Sequence, residues 1–204
     1  MKNTVIYIHG KNGSADECEF YKPLFPEYDV VGIDYKAETP WQAMSEFPKL
    51  YDELCENGDR VILIANSIGA YFAMQSLADK RIDRAFFISP IVDMERLILD
   101  MMKWTGVTEK ELCNRKEIET SFGETLSWEY LCYVREHLIK WDIPTEILYG
   151  ENDSLTSLET VKDFAEHTGA GPTVMQGGEH LFHTEEQLDF LADGWRKGDT
   201  HEHE

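Results

Sequence analysis

Residues 61–69 read VILIANSIG, and this stretch constrains the fold more than any other in the chain. Val61 to Ile64 are four consecutive apolar residues, which suits a strand buried on both faces of a covered sheet. Ala65-Asn66-Ser67-Ile68-Gly69 follows, and then a run of helix formers through Ala78. The chain must therefore turn sharply from strand to helix at Ser67. Strand and helix backbones converge at such a corner, so only small side chains fit two positions before and after it. Ala65 and Gly69 occupy those positions. A helix opening beside Ser67 would offer free N–H groups and a positive dipole end to a developing oxyanion. Against the pattern Gly-x-Ser-x-Gly, the only departure is the methyl group of Ala65. A serine opening a helix also reads as an ordinary N-cap, and the pentapeptide alone does not choose between the two.

The totals narrow the field. A chain of 204 residues predicts one domain with a sizeable core, and 42% hydrophobic with 28% charged residues suits a soluble globular protein. The formal net charge of −20 argues against nucleic acid or an anionic membrane surface as partner, and disfavours a highly anionic substrate. Met1-Lys2-Asn3-Thr4 leads straight into a strand-like run, so no signal peptide is expected. No stretch approaches the roughly 18 apolar residues of a membrane span. Cys18, Cys55, Cys113 and Cys132 lack CxxC spacing, which predicts reduced thiols in a cytoplasmic protein.

Further short strands are expected at 4–8 (TVIYI), 30–35 (VVGIDY), 84–89 (RAFFIS), 145–149 (TEILY) and 173–176 (TVMQ). Helices are expected between them. Thr39, Pro40 and Gln42 form a capping box opening a helix to about residue 56, closed by Asn57-Gly58. Another covers 158–168, and Thr184 with Gln187 opens a last one to about Trp195. The ending His201-Glu202-His203-Glu204 reads as a frayed tail rather than a metal site. Alternating strands and helices predict an α/β fold, a mostly parallel sheet of about six strands covered on both faces. Function in such sheets collects at the carboxyl ends of the strands.

Residues 91–143 interrupt this rhythm with no convincing strand. Met94, Leu97, Ile98, Met101 and Met102 follow a helical period, Thr108 with Glu111 forms a capping box, and Ser127 would cap a helix carrying Trp128, Leu131, Cys132 and Leu138. The stretch reads as a helical cap inserted over the strand ends, or as helices packed on the domain's flank.

Acyl transfer needs an activated hydroxyl, a base, a group orienting that base, and donors for the oxyanion. Ser67 follows the third strand. Asp153, in Gly150-Glu151-Asn152-Asp153, follows the fifth, and His180, in Gly178-Glu179-His180, follows the sixth. His9-Gly10 follows the first. In these residues, taken in the order Ser…Asp…His, the chain resembles the α/β-hydrolase family over nearly its whole length. That resemblance implies an α/β-hydrolase fold in which Ser67 is nucleophile, His180 general base and then acid, and Asp153 the group holding the imidazole tautomer. It implies an oxyanion hole from the backbone N–H groups of Ile68 and Lys11, with no metal or organic cofactor. By the same resemblance, the first strand here corresponds to the third of larger members, so their two opening antiparallel edge strands are not expected in this sequence.

Other residues compete for these roles. His183 is three positions from His180, and a packing or surface role is expected for it. Asp93 is another place for the acid, Glu179 should face away from His180, and Asp34 reads as structural. His9 is expected to brace its loop by hydrogen bonding. Met101, Met102, Trp104, Trp128 and Tyr130 could line an acyl pocket or be core, and the spacing favours core. The resulting expectation is a carboxylesterase acting on a small or medium uncharged ester. A thioesterase, a peptidase or a carbon–carbon bond hydrolase would use the same groups, and a non-catalytic binding module on this scaffold is the reading from another class.

Overall fold

The computed structural model describes residues 2–55, 59–182 and 184–198. The elements, in chain order, are β1 (Asn3–Ile8), β2 (Asp29–Gly32), α1 (Pro40–Leu54), β3 (Arg60–Asn66), α2 (Ile68–Ser76), β4 (Arg84–Ile88), α3 (Met94–Thr105), α4 (Glu109–Arg115), β5 (Glu117–Glu119), β6 (Thr125–Ser127), α5 (Trp128–Glu136), β7 (Thr145–Gly150), α6 (Leu158–Thr168), β8 (Gly171–Met175) and α7 (Glu185–Gly198). Two short 3-10 helices, Ala15–Phe20 and Lys22–Leu24, lie between β1 and β2. Asp93–Ile139 forms one compact unit and the rest of the described chain another. Asn57-Gly58, His183 and the tail 201–204 lie outside the described residues.

The larger unit is built on a six-stranded sheet in the order β2-β1-β3-β4-β7-β8, with every pairing parallel. This is the covered parallel sheet expected from the apolar strands. β3 lies inside it, and Val61, Leu63, Ile64 and Ala65 are all essentially inaccessible. Successive residues of β1 serve opposite faces. Val5 and Tyr7 join a core with Cys18, Tyr21, Phe25, Phe182 and Leu191, under the 3-10 segment and α7. Ile8 meets the start of α2 on the other face, where a Cβ on Gly69 would lie 3.0 Å from Ile8 Cγ2. Each large aliphatic or aromatic side chain buried in this way contributes about 1.5–3 kcal/mol.

The helix signals act as expected. Thr39 Oγ1 accepts from Gln42 N at 3.4 Å while Gln42 Oε1 accepts from Thr39 N at 3.2 Å, with Pro40 in the first turn. Ala43, Phe47 and Tyr51, spaced by four, are the buried stripe of α1. Thr184 and Gln187 exchange the same pair of bonds at the start of α7. β2 is shorter than the apolar run 30–35. At Gly32 the backbone of Ala15 crosses so closely that a Cβ would lie 2.7 Å from its carbonyl carbon, and only one ladder bond, Ile33 N to Tyr7 O, follows.

In the smaller unit α3 is capped by Asp93, whose Oδ1 accepts from Arg96 N at 2.9 Å, and it ends at Gly106 with φ +69°. Met94, Leu97, Ile98 and Met102 form its buried stripe. Three features differ from the expectation. β5 and β6 form an antiparallel hairpin of three residues per strand, too short to leave a periodic signal. Leu138 is not on α5, which ends at Glu136, and it is 73% exposed. Trp104 is not core either: it is 55% exposed and meets Phe122 edge-on.

Candidate active site

Ser67 sits between β3 and α2 with φ 52° and ψ −120°, a conformation few non-glycine residues adopt. Its backbone is held there from both sides. Ser67 N donates to Ile88 O at 2.9 Å, and Ser67 O accepts from Ala70 N and Ile91 N, each at 3.2 Å. The side chain does not cap α2. Instead Ser67 Oγ lies 2.8 Å from His180 Nε2. The ordinary N-cap role is thus not the one this hydroxyl plays.

The small residues around the corner have specific reasons. A Cβ on Gly69 would run into the carbonyl oxygen of His9, and one on Gly10 would lie 3.2 Å from Ser67 Cβ. The loop after β1 and the start of α2 therefore abut, backbone to backbone. Ala65 pairs with Ile8 on one side and Phe87 on the other, and its methyl group is fully buried. The position takes that methyl within the native ladder.

Asp153 and His180 reach the corner from β7 and β8. Their two loops are stitched together by Glu151 N to Met175 O at 3.0 Å, Asn152 N to Gly178 O at 2.7 Å, and Gly177 N to Glu151 Oε2 at 2.9 Å. The Asp153 side chain is fully buried. Its Oδ1 accepts from Leu155 N at 2.8 Å and Thr156 N at 3.1 Å, and its Oδ2 lies 2.7 Å from His180 Nδ1. Two backbone donors fix the carboxylate as an acceptor, so the shared proton sits on Nδ1. The Nε2 lone pair then faces Ser67, whose hydroxyl donates to it.

Ile68 is the first residue of α2, a position whose N–H has no acceptor within the helix. Lys11 lies in a turn closed by Gly13 N to Gly10 O at 3.1 Å, with Asn12 at φ +62°. His9 braces this loop. It is 8% exposed, its Nδ1 donates to Gly10 O at 2.8 Å, and its ring stacks on Tyr35 at 4.3 Å. The Tyr35 hydroxyl donates to His9 O at 2.9 Å. Burial pushes the Tyr35 phenol well above its ordinary pKa, which keeps it a donor.

The structure thus brings Ser67, His180 and Asp153 into one hydrogen-bonded line and sets Lys11 and Ile68 on abutting segments. Asp93 is engaged in capping α3, and Asp34 is exposed beyond the end of β2. Sequence reasoning missed Tyr7, Glu17 and Tyr35, which surround the His9–Ser14 loop. The signal for Glu17 was present as Ser14-x-x-Glu17, a capping-box spacing that opens the 3-10 helix Ala15–Phe20. The described residues hold no cluster of His, Cys, Asp or Glu suited to a metal ion, and no helix long and apolar enough to cross a membrane.

No protein-family model matches the chain. Over 105 residues it is 29% identical to a Mycoplasma genitalium protein named "Putative esterase/lipase 3", a match covering 44% of this chain and only 37% of that protein. Solved structures are similar over almost the whole chain. Alpha/beta hydrolase domain-containing protein 10 from mouse superimposes with a TM-score of 0.77 at 15% identity, covering 97% of this chain and 89% of that one. Est1E from Butyrivibrio proteoclasticus gives 0.75 at 15% identity, covering 98% and 87%. The thioesterase domain from the curacin biosynthetic pathway gives 0.60 at 16% identity, covering 94% and 90%. The chain has the α/β-hydrolase fold.

Proposed function

We propose that this protein is a serine hydrolase, a carboxylesterase that cleaves a small or medium uncharged ester through an acyl-enzyme. The observation that carries the reading is the unbroken line from Asp153 Oδ2 through both nitrogens of His180 to Ser67 Oγ, at 2.7 and 2.8 Å. Its setting on an α/β-hydrolase fold, and the esterase names among similar proteins, support it.

In the first half-reaction Ser67 Oγ attacks the ester carbonyl while its proton passes to His180 Nε2. Asp153 holds the resulting imidazolium through Nδ1. The carbonyl oxygen becomes an oxyanion, stabilised by the N–H groups of Ile68 and Lys11. Collapse breaks the carbon–oxygen bond to the alcohol, which leaves with the proton from His180. In the second half, water gives a proton to His180 and attacks the acyl-serine. The acid departs and Ser67 recovers its proton. No step needs a metal or an organic cofactor. Four free cysteines, two of them buried, support a cytoplasmic setting.

The test is intact mass after treatment with a fluorophosphonate, with Ser67→Ala in parallel. A single adduct on the wild type that is missing from the variant is expected, and a panel of esters and thioesters would then rank substrates. A folded wild-type protein that takes no adduct would overturn the reading in favour of a non-catalytic binding module.

A further inference from the structure

Against the loop after β1 lies a hydrogen-bonded hub that the acyl-transfer steps do not use. Its centre is the hydroxyl of Tyr7, on β1 and 1% exposed. Tyr7 donates to Glu17 Oε2, and its ring packs against that of Tyr21 with centroids 5.0 Å apart. A phenol has one proton and two lone pairs. The proton goes to the carboxylate, which fixes the direction of the Tyr7–Glu17 bond. Burial pushes the phenols of both Tyr7 and Tyr21 well up, so the hub stays neutral at its centre.

Glu17 connects this hub to the loop after β1. Its second oxygen, Oε1, accepts from Ser14 N at 3.2 Å. Gly13 threads between, where a Cβ would lie 2.9 Å from both Glu17 Oε1 and His9 Cβ. The same carboxylate therefore holds Ser14, three residues after Lys11, and it holds Tyr7, which pairs with Ile64 on β3, the strand that leads into Ser67 and Ile68.

We propose that Glu17 is a positioning residue that sets the spacing between the backbone N–H groups of Lys11 and Ile68, acting through Ser14 on one side and through Tyr7 and its pairing with β3 on the other. The inference rests on the hydrolase reading above. Oxyanion donors act by being in place before charge develops. A tether between their two segments therefore acts on the transition state more than on substrate binding. A carboxylate that only caps the 3-10 helix Ala15–Phe20 would lower stability and leave turnover unchanged.

The experiment compares wild type, Glu17→Ala and Glu17→Gln, with p-nitrophenyl acetate as substrate and amide hydrogen exchange over residues 9–14 and 65–69. In Glu17→Ala we expect kcat to fall roughly 10- to 100-fold with KM within about threefold, less than the loss of a whole donor. Exchange in 9–14 should speed up by about tenfold or more, as local opening becomes easier. Glu17→Gln should recover most of both, because its carbonyl can accept from Ser14 N while its amide donates to the Tyr7 hydroxyl oxygen. Unchanged kcat beside a lowered melting temperature, or unchanged exchange in 9–14, would overturn the inference. A wild-type protein that neither hydrolyses the ester nor takes the fluorophosphonate would overturn the hydrolase reading, and exchange alone would then decide whether Glu17 tethers the loop.

Discussion

Gly150 and Glu179 meet backbone to backbone: a Cβ on Gly150 would collide with the carbonyl oxygen of Glu179 and lie 2.7 Å from the carbonyl carbon of Gly178. This contact closes the end of β7 onto the loop that carries His180. Gly150→Ala must push the two loops apart or strain them, at a cost of about 1–3 kcal/mol. Because Asp153 and His180 sit on the separated loops, activity should fall more steeply than stability. A melting curve beside ester turnover checks this. Equal losses would mean that the contact matters only for folding.

Asp153→Asn should leave the fold intact and reduce kcat by roughly 10⁴-fold, because an amide can donate to Nδ1 and turn the imidazole to the wrong tautomer. The variant keeps an oxygen for Leu155 N and Thr156 N, so its melting temperature should stay close to wild type. Turnover within tenfold of wild type would remove Asp153 from the mechanism.

Gly69→Ala and Ala65→Gly test the two sides of the corner. The first forces a methyl into the carbonyl oxygen of His9 and should displace both proposed oxyanion donors. Loss of fluorophosphonate labelling is the expected readout. The second removes a buried methyl without any clash, and a loss of only about 0.5–1 kcal/mol is expected from the added backbone freedom, with labelling retained.

Alkaline stability follows from the tyrosines. Tyr149 is 1% exposed and donates to Thr156 O at 2.7 Å. Burial, with the Asp153 carboxylate adding, pushes its phenol up to about 12. The unfolded chain would ionise it near its ordinary value of about 10. The stability from the neutral phenol is thus complete below about pH 10 and is lost as pH rises through 10 toward 12. Absorbance at 295 nm and circular dichroism, followed together, should show a set of tyrosines that ionise only as the fold is lost. Ionisation of all nine near pH 10 in a folded protein would contradict this.

Much of this arrangement is legible in the linear chain. β1, β3, β4 and β7 follow from short apolar runs, and α1 and α7 from reciprocal Thr–Gln capping, because these signals act between residues a few positions apart. Ser67, Asp153 and His180 could be picked out because a parallel sheet delivers the residues after its strands to one edge. The hairpin of β5 and β6 could not, since three residues per strand carry no measurable alternation. The early end of β2 could not either: it depends on Ala15 crossing Gly32, seventeen positions away.

The sequence by itself determined the order of strands and helices, the corner at Ser67 and the residue types offered to the site. Those properties come from local sterics and periodicity, which neighbouring residues impose on one another. Only the tertiary structure decided that Ser67 Oγ pairs with His180 instead of capping its helix, that Gly150 had to be glycine because Glu179 passes it, and that Glu17 would find Tyr7. Each of these depends on two segments brought together by the sheet. Distance along the chain carries no record of such contacts, and close packing admits only the side chains that fit them.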